Sequence, residues 1–312
     1  MPPPPAPPPP STSSSYPRTP SSSSRIPPRL EAYVASGPLA RDEGSLTVVT
    51  AVQGASANWL VLRYLYALLA GGGVGSSGGR GVEEREFVGV VLVSFLRDER
   101  FWADGCARLG VDLNALCKNG RFAFVDGLTG LCAPAVPGSS NGIIAGGGVT
   151  TTATTTNSDD VVKACVEAAA ARLTAGSRTV LLVDGLDAYV ATGSGSGAAG
   201  AASLIMSLRE NVHSTLVTFA ADEPLVHMQA AAQTTRLERE QAALVLGQAH
   251  AADQIVSLRR LDTGAAADVS GVLRVVVGPA ATAATYGDGD EGEELLYHVA
   301  GDGSVRVFER GA

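Results

Sequence analysis

The chain has 312 residues, a formal net charge of -8, 45% hydrophobic and 17% charged residues. That is long enough for one sizeable core plus tails, and the acidic balance excludes a protein coated with nucleic acid over its whole surface, though not a local basic patch. No run reaches the ~18 apolar residues of a membrane span, and the N-terminus has no apolar signal core; an intracellular, soluble protein with no membrane partner is expected.

Residues 1–29 read as a disordered tail, proline-rich and then serine-rich, whose composition favours polyproline II and solvated coil. A single α/β domain is expected from 30 to 312. Its first strand is 46–52 and its first helix 58–70, apolar nearly all round, with Arg63 its only charge, so burial on several sides is expected. Residues 71–81 read as a flexible insert. The run 87–95 is near-continuously apolar, as central parallel strands are. A helix over 98–109, closed by Gly110, and a strand over 121–125 follow. A Gly/Thr/Ser-rich insert spans 138–157.

The second half continues the alternation. A helix is predicted over 159–173, stopped by Gly176, then a strand over 179–183 and a small-residue insert near 191–200. Helix 201–211, strand 213–221, helix 236–250 and strands 254–258 and 272–277 come next. Runs 295–299 and 305–308 flank Gly301-Asp302-Gly303, a tight hairpin signal. Strand–helix repeats with a terminal antiparallel meander predict a doubly wound sheet edged by hairpins. Ligands of such sheets sit beyond the strand carboxyl ends. Residues 54–58, 95–98, 126–129 and 184–187 should therefore share one rim.

The most informative string is GASANWL at 54–60. It joins an apolar strand to an apolar helix, where a phosphate loop would carry GxxxxGK[ST]. Here Gly54 and Ser56 remain, but the lysine and the second glycine are missing, and no lysine lies nearby in sequence. A helix N-terminus can still hold an anion through backbone N–H groups, but phosphoryl transfer depends on positioned charge and Mg²⁺. TVLLVD at 179–184 is an apolar strand ending in aspartate, which places Asp184 where a Mg²⁺-holding residue would sit. Without a hydroxyl partner from the first loop, Asp184 is expected to hydrogen-bond structurally, and Asp187 to cap the next turn. No cofactor and no metal site is expected.

Cys106, Cys117, Cys132 and Cys165 show no CxxC pairing and read as reduced packing residues. The four histidines have no metal-ligand spacing, and no catalytic constellation stands out. Basic residues near aromatics are the remaining lead. Arg97 and Arg100 lie beside Phe95 and Trp102, Arg236 and Arg239 open a helix, and Arg259 and Arg260 follow a strand. Arginine and aromatics together can hold phosphate and stack on bases; solvated faces and ion pairs are the plainer account of any single one.

Six strings carry a family likeness: VVLVSFLRD at 90–98, GRFAFVDGL at 120–128, SLRENVH at 207–213, LRRLDTG at 258–264, DVSGVLR at 268–274 and VRVFER at 305–310. They resemble the fungal form of Elongator complex protein 6. The likeness runs from about Arg25 to the end and skips the inserts. It implies a RecA-like P-loop fold with degenerate Walker motifs, and a non-enzymatic subunit of a hetero-hexameric ring with Elongator proteins 4 and 5. That ring binds tRNA and supports wobble-uridine modification by the catalytic subcomplex, in cytoplasm and nucleus. Under this reading Arg97, Arg236 and Arg239 are RNA-binding candidates, and Phe95 and Trp102 are interface candidates. Two other readings stay open: a RecA-like ATPase with an unorthodox phosphate loop, and a pure scaffold subunit.

Overall fold

The computed structural model describes residues 25–34, 43–70, 88–127, 158–174, 178–193, 196–226, 234–261, 266, 268–281 and 292–309. The inserts expected at 71–81 and 138–157, Gly176, Cys132 and the tail before Arg25 lie outside these residues. So do positions 128 and 129 of the expected rim.

Among the described residues nine strands form one sheet: β1 (Ser45–Ala51), β2 (Val88–Ser94), β3 (Phe122–Asp126), β4 (Arg178–Asp184), β5 (Ser214–Ala220), β6 (Gln254–Arg259), β7 (Gly271–Val277), β8 (Glu293–Val299) and β9 (Val305–Glu309). Their order is β3-β2-β4-β5-β1-β6-β7-β8-β9. From β3 to β6 every neighbour pair is parallel; from β6 to β9 every pair is antiparallel. The α/β class expected from the sequence, a mostly parallel sheet finished by an antiparallel hairpin, is therefore the one observed.

The core has two halves because strand side chains alternate. Val90, Leu92, Phe122, Phe124 and Leu182 meet α1 (Pro28–Val34), α2 (Asn58–Ala70), α3 (Glu99–Arg108) and α4 (Leu113–Lys118) on one face. Val91, Val93, Val125, Leu181 and Val183 meet α5 (Ser158–Ala170), α6 (Leu186–Ala191), α7 (Gly197–Arg209) and α9 (Arg236–His250) on the other. All seven residues of β2 are buried, which is why its sequence is continuously apolar rather than alternating. Helix α2 buries nine of its thirteen residues, Arg63 included, as its composition predicts.

Several boundaries differ from the sequence reading. Helix α7 starts at Gly197, inside the stretch expected to be an insert. Its first turn is held from a distance: Glu240 of α9 accepts the Ala198 N–H at 2.6 Å. Helix α1 lies partly in the expected tail and packs against β9, where Arg29 pairs with Glu309. Helices α4, α6 and α8 (Glu223–Val226) are four to six residues long and carry too little periodicity to announce themselves.

Candidate functional site at the strand carboxyl ends

Parallel pairing brings the carboxyl ends of β1 to β6 to one rim. The register aligns Ser94 with Asp184, and Ala51 with both Ala220 and Leu258. The loop after β1 and the aspartate closing β4 thus share this rim, with β5 between their strands. The RecA-like arrangement expected from the sequence stands on that order and placement.

The loop after β1 already holds an anion. Asp222, just beyond β5, accepts the Gln53 backbone N–H at 2.7 Å. Two further loop amides are used internally: Ala55 N–H donates to the Val52 carbonyl, and Asn58 N–H donates to the Ser56 hydroxyl. Helix α2 then opens with half-buried Asn58, followed by Trp59, Leu60 and Val61, all buried. Trp59 lies against Tyr297 of β8, with ring centroids 4.9 Å apart. Apolar packing thus backs the helix N-terminus, a carboxylate takes one of its loop donors, and an open cavity of about 350 Å³ remains beside Gly54, Ser56 and Asn58.

Gly54 has φ of 86°, which L side chains rarely adopt. A Cβ there would come within 3.2 Å of the Arg260 side chain. The cation beside the degenerate loop is therefore an arginine from the end of β6, not a lysine from the loop. Sequence order hides it, because 206 positions separate the two residues (260 − 54). Its neighbour Arg259 is committed elsewhere, to Glu294 at 2.8 Å.

Asp184 is 3% exposed and accepts a hydroxyl on each of its oxygens. Ser94 Oγ donates to Oδ2 at 2.8 Å and Thr218 Oγ1 donates to Oδ1 at 3.2 Å. Burial pushes its carboxyl above the usual range, against the pull of those two hydroxyls and of the Arg97 charge. The structural role expected for Asp184 fits this bonding. Asp187, one turn further, is pushed up to about 6, chiefly by burial, with the Asp184 charge adding to it. Among the described residues no group of three or more acidic, histidine or cysteine side chains could hold a metal ion.

The candidate basic residues stand on different elements. Arg97 follows β2, lies over the Phe101 ring at 5.4 Å and donates to the Leu96 carbonyl. Arg236 and Arg239 sit on the first turn of α9, which packs on α6, α7 and α8. Arg236 is held loosely by Glu240 at 3.6 Å, with its side chain 83% exposed. The rim itself is acidic. Among the described residues Asp98, Asp126, Asp184, Asp187, Asp222 and Glu223 lie at or just past the strand ends, against Arg97, Arg259 and Arg260.

Phe95 and Trp102 are core residues. Phe95 is 2% exposed, stacked at 5.2 Å on Tyr189, and Trp102 is 0% exposed. Neither leaves surface for a neighbouring subunit, which corrects their reading as interface residues. The exposed apolar side chain of this segment is Leu96, at 43%.

No family model and no curated protein matches the chain. Among solved structures, it is similar to an uncharacterised protein of Pyrococcus horikoshii in complex with an unknown peptide. Identity is 12% over 87% of this chain and 94% of that one, with a TM-score of 0.49. It is also similar to a KaiC-like protein of the same archaeon, 13% identical over 91% and 97% of the two chains, with a TM-score of 0.47. No helix of the described residues is long and apolar enough to cross a membrane.

Proposed function

We propose that the chain is a non-catalytic, RecA-like building block of a ring assembly, without independent nucleotide turnover. The observation that carries this is the Asp222–Gln53 contact in a loop that lacks its lysine. A triphosphate entering that loop would find the Gln53 amide taken by a carboxylate and an arginine from β6 in place of the loop lysine, on a rim where acids outnumber arginines. Electrostatic stabilisation of transferring phosphate requires the reverse.

The finer reading follows the family strings. The assembly is the hetero-hexameric ring of the Elongator complex, formed with Elongator proteins 4 and 5. Its ligand is tRNA, and its task is to support wobble-uridine modification in cytoplasm and nucleus. Arg236 and Arg239 suit RNA contact better than Arg97, because they stand on an exposed helix end, whereas Arg97 neighbours the Asp184 carboxylate. Co-purification with the two ring partners, followed by tRNA binding across a salt series, tests both levels. A ring that forms equally well without this chain sinks the subunit role. Binding and salt slope unchanged after Arg97, Arg236 and Arg239 are replaced by alanine sink the residue assignment, since removing one phosphate-binding cation should lower the slope by about 1.

A second reading, an ATPase with an unorthodox phosphate loop, is favoured by Arg260 beside Gly54. Magnesium-dependent ATP binding by the lone chain, abolished by Arg260→Ala, would promote it over the first.

A further inference from the structure

Between α2, α3 and the hairpin joining β8 to β9 lies a cleft of about 340 Å³. Its walls are mainly apolar, from Trp59, Leu62, Phe101 and Leu109. Arg63 lines it too, although its residue is only 4% exposed. One guanidinium nitrogen, Nη2, donates to the Gly303 carbonyl at 2.9 Å. The buried Nε has no partner, and no carboxylate pairs with the group among the described residues. Burial accordingly lowers its pKa with no acid opposing the shift.

A buried guanidinium without a counter-charge is costly. Native structures rarely leave such a donor empty, and an unoccupied ligand position is one recurring reason when they do. The remaining charges do not supply the partner. Asp104 lines the cleft but faces Arg100 at 3.8 Å on the solvent side of α3, and Arg108 adds a second cation. The lining therefore carries one positive charge in excess. Its volume lies at the lower end of small-molecule pockets, and apolar walls with a few placed polar groups are their usual make-up.

We propose that this cleft binds a small organic monoanion, with its carboxylate on the Arg63 guanidinium and its apolar body between Trp59, Leu62 and Phe101. Inorganic phosphate fits it poorly, because the Leu62, Phe101 and Leu109 side chains offer such an ion no hydrogen bonds. A nucleic-acid backbone is excluded by depth, since the guanidinium sits below the surface.

The test uses the full-length chain with 2-naphthoate and its neutral isostere 2-naphthamide, measured by calorimetry and tryptophan fluorescence. Trp59 lines the cleft and the other tryptophan, Trp102, is fully buried, so quenching reports on the site. The acid is expected to bind at least about tenfold tighter than the amide. Arg63→Met should abolish that preference, Arg63→Lys should keep part of it, and Leu62→Trp should block both ligands by filling the space. Equal binding of acid and amide, a preference that survives Arg63→Met, or no binding of the acid up to about 5 mM overturns the proposal. Competition by inorganic phosphate at similar concentration overturns the requirement for an apolar body. Near-ultraviolet circular dichroism establishes folding of each variant. Should Arg63→Met not fold, the acid–amide comparison on the unmodified chain and the Leu62→Trp block still decide.

Discussion

Ser94 and Asp184 are register partners on adjacent strands, and the serine hydroxyl donates to the aspartate at 2.8 Å. With Thr218 donating from β5 and also accepting the Gly185 N–H at 2.9 Å, one carboxylate ties three central strands together at the rim. A divalent ion at Asp184 would have to share the carboxylate with both hydroxyls.

Removing this clamp should destabilise the fold. Asp184→Ala leaves two buried hydroxyls without an acceptor, and a loss of about 2–4 kcal/mol is expected in urea denaturation. Asp184→Asn retains one acceptor oxygen and should lose clearly less. An alanine variant as stable as the parent would show that the clamp contributes nothing.

Asp187 should make stability depend on pH. Its carboxyl is raised to about 6 in the folded chain, so between the unfolded value near 4 and that figure the native state binds more protons than the unfolded state. Stability from this group is therefore present at the acid end and lost as pH rises from about 4 to about 6, flat above that. Full linkage would amount to about 3 kcal/mol; partial solvent contact reduces the expected loss to about 1–2 kcal/mol. Asp187→Asn should remove this part of the slope when denaturation midpoints are compared at pH 4.5 and 7. A variant with the parental slope would reassign it.

The Asp222 contact should be structural and should make ATP irrelevant to the lone chain. Asp222→Ala is expected to cost about 1 kcal/mol, the value of a half-exposed charged hydrogen bond. A nucleotide at 100 times its Kd would add about 2.7 kcal/mol to stability. The unmodified chain should show no such rise in Tm with Mg-ATP, and a clear rise would contradict the proposed loss of nucleotide binding at this loop.

The thiols of the folded chain should resist modification. Burial pushes Cys106 up to about 12 and Cys117 up to about 11, so little thiolate exists at pH 8. In a Cys132→Ser background, a disulfide reagent should label these two positions only as fast as the chain unfolds. Rapid labelling of Cys106 in buffer would show that the packing around it opens.

What the sequence makes legible follows the length and locality of the signals. Helices α2 and α9 are readable residue for residue: one is a long apolar run, and the other opens on Thr235 and Glu238, which form a capping box. The central strands are readable within a residue or two from their apolar runs. Positions fixed from afar are not. Nothing near Gly197 signals a helix start, because its cap comes from Glu240. Nothing near Gly54 signals Arg260, and nothing near Gln53 signals Asp222, 169 positions away. Phe95 and Trp102 mislead for a related reason: an aromatic beside arginines looks the same in sequence whether its ring faces solvent or, like Phe95, the ring of Tyr189.

The aspartate lodged against Gln53 is a permanent resident, bound covalently to the same molecule. It neither arrives nor departs as fuel levels in the cell rise and fall. Under the proposed reading this loop therefore has no loaded and spent forms, and an assembly built around such a subunit takes its timing from the other members.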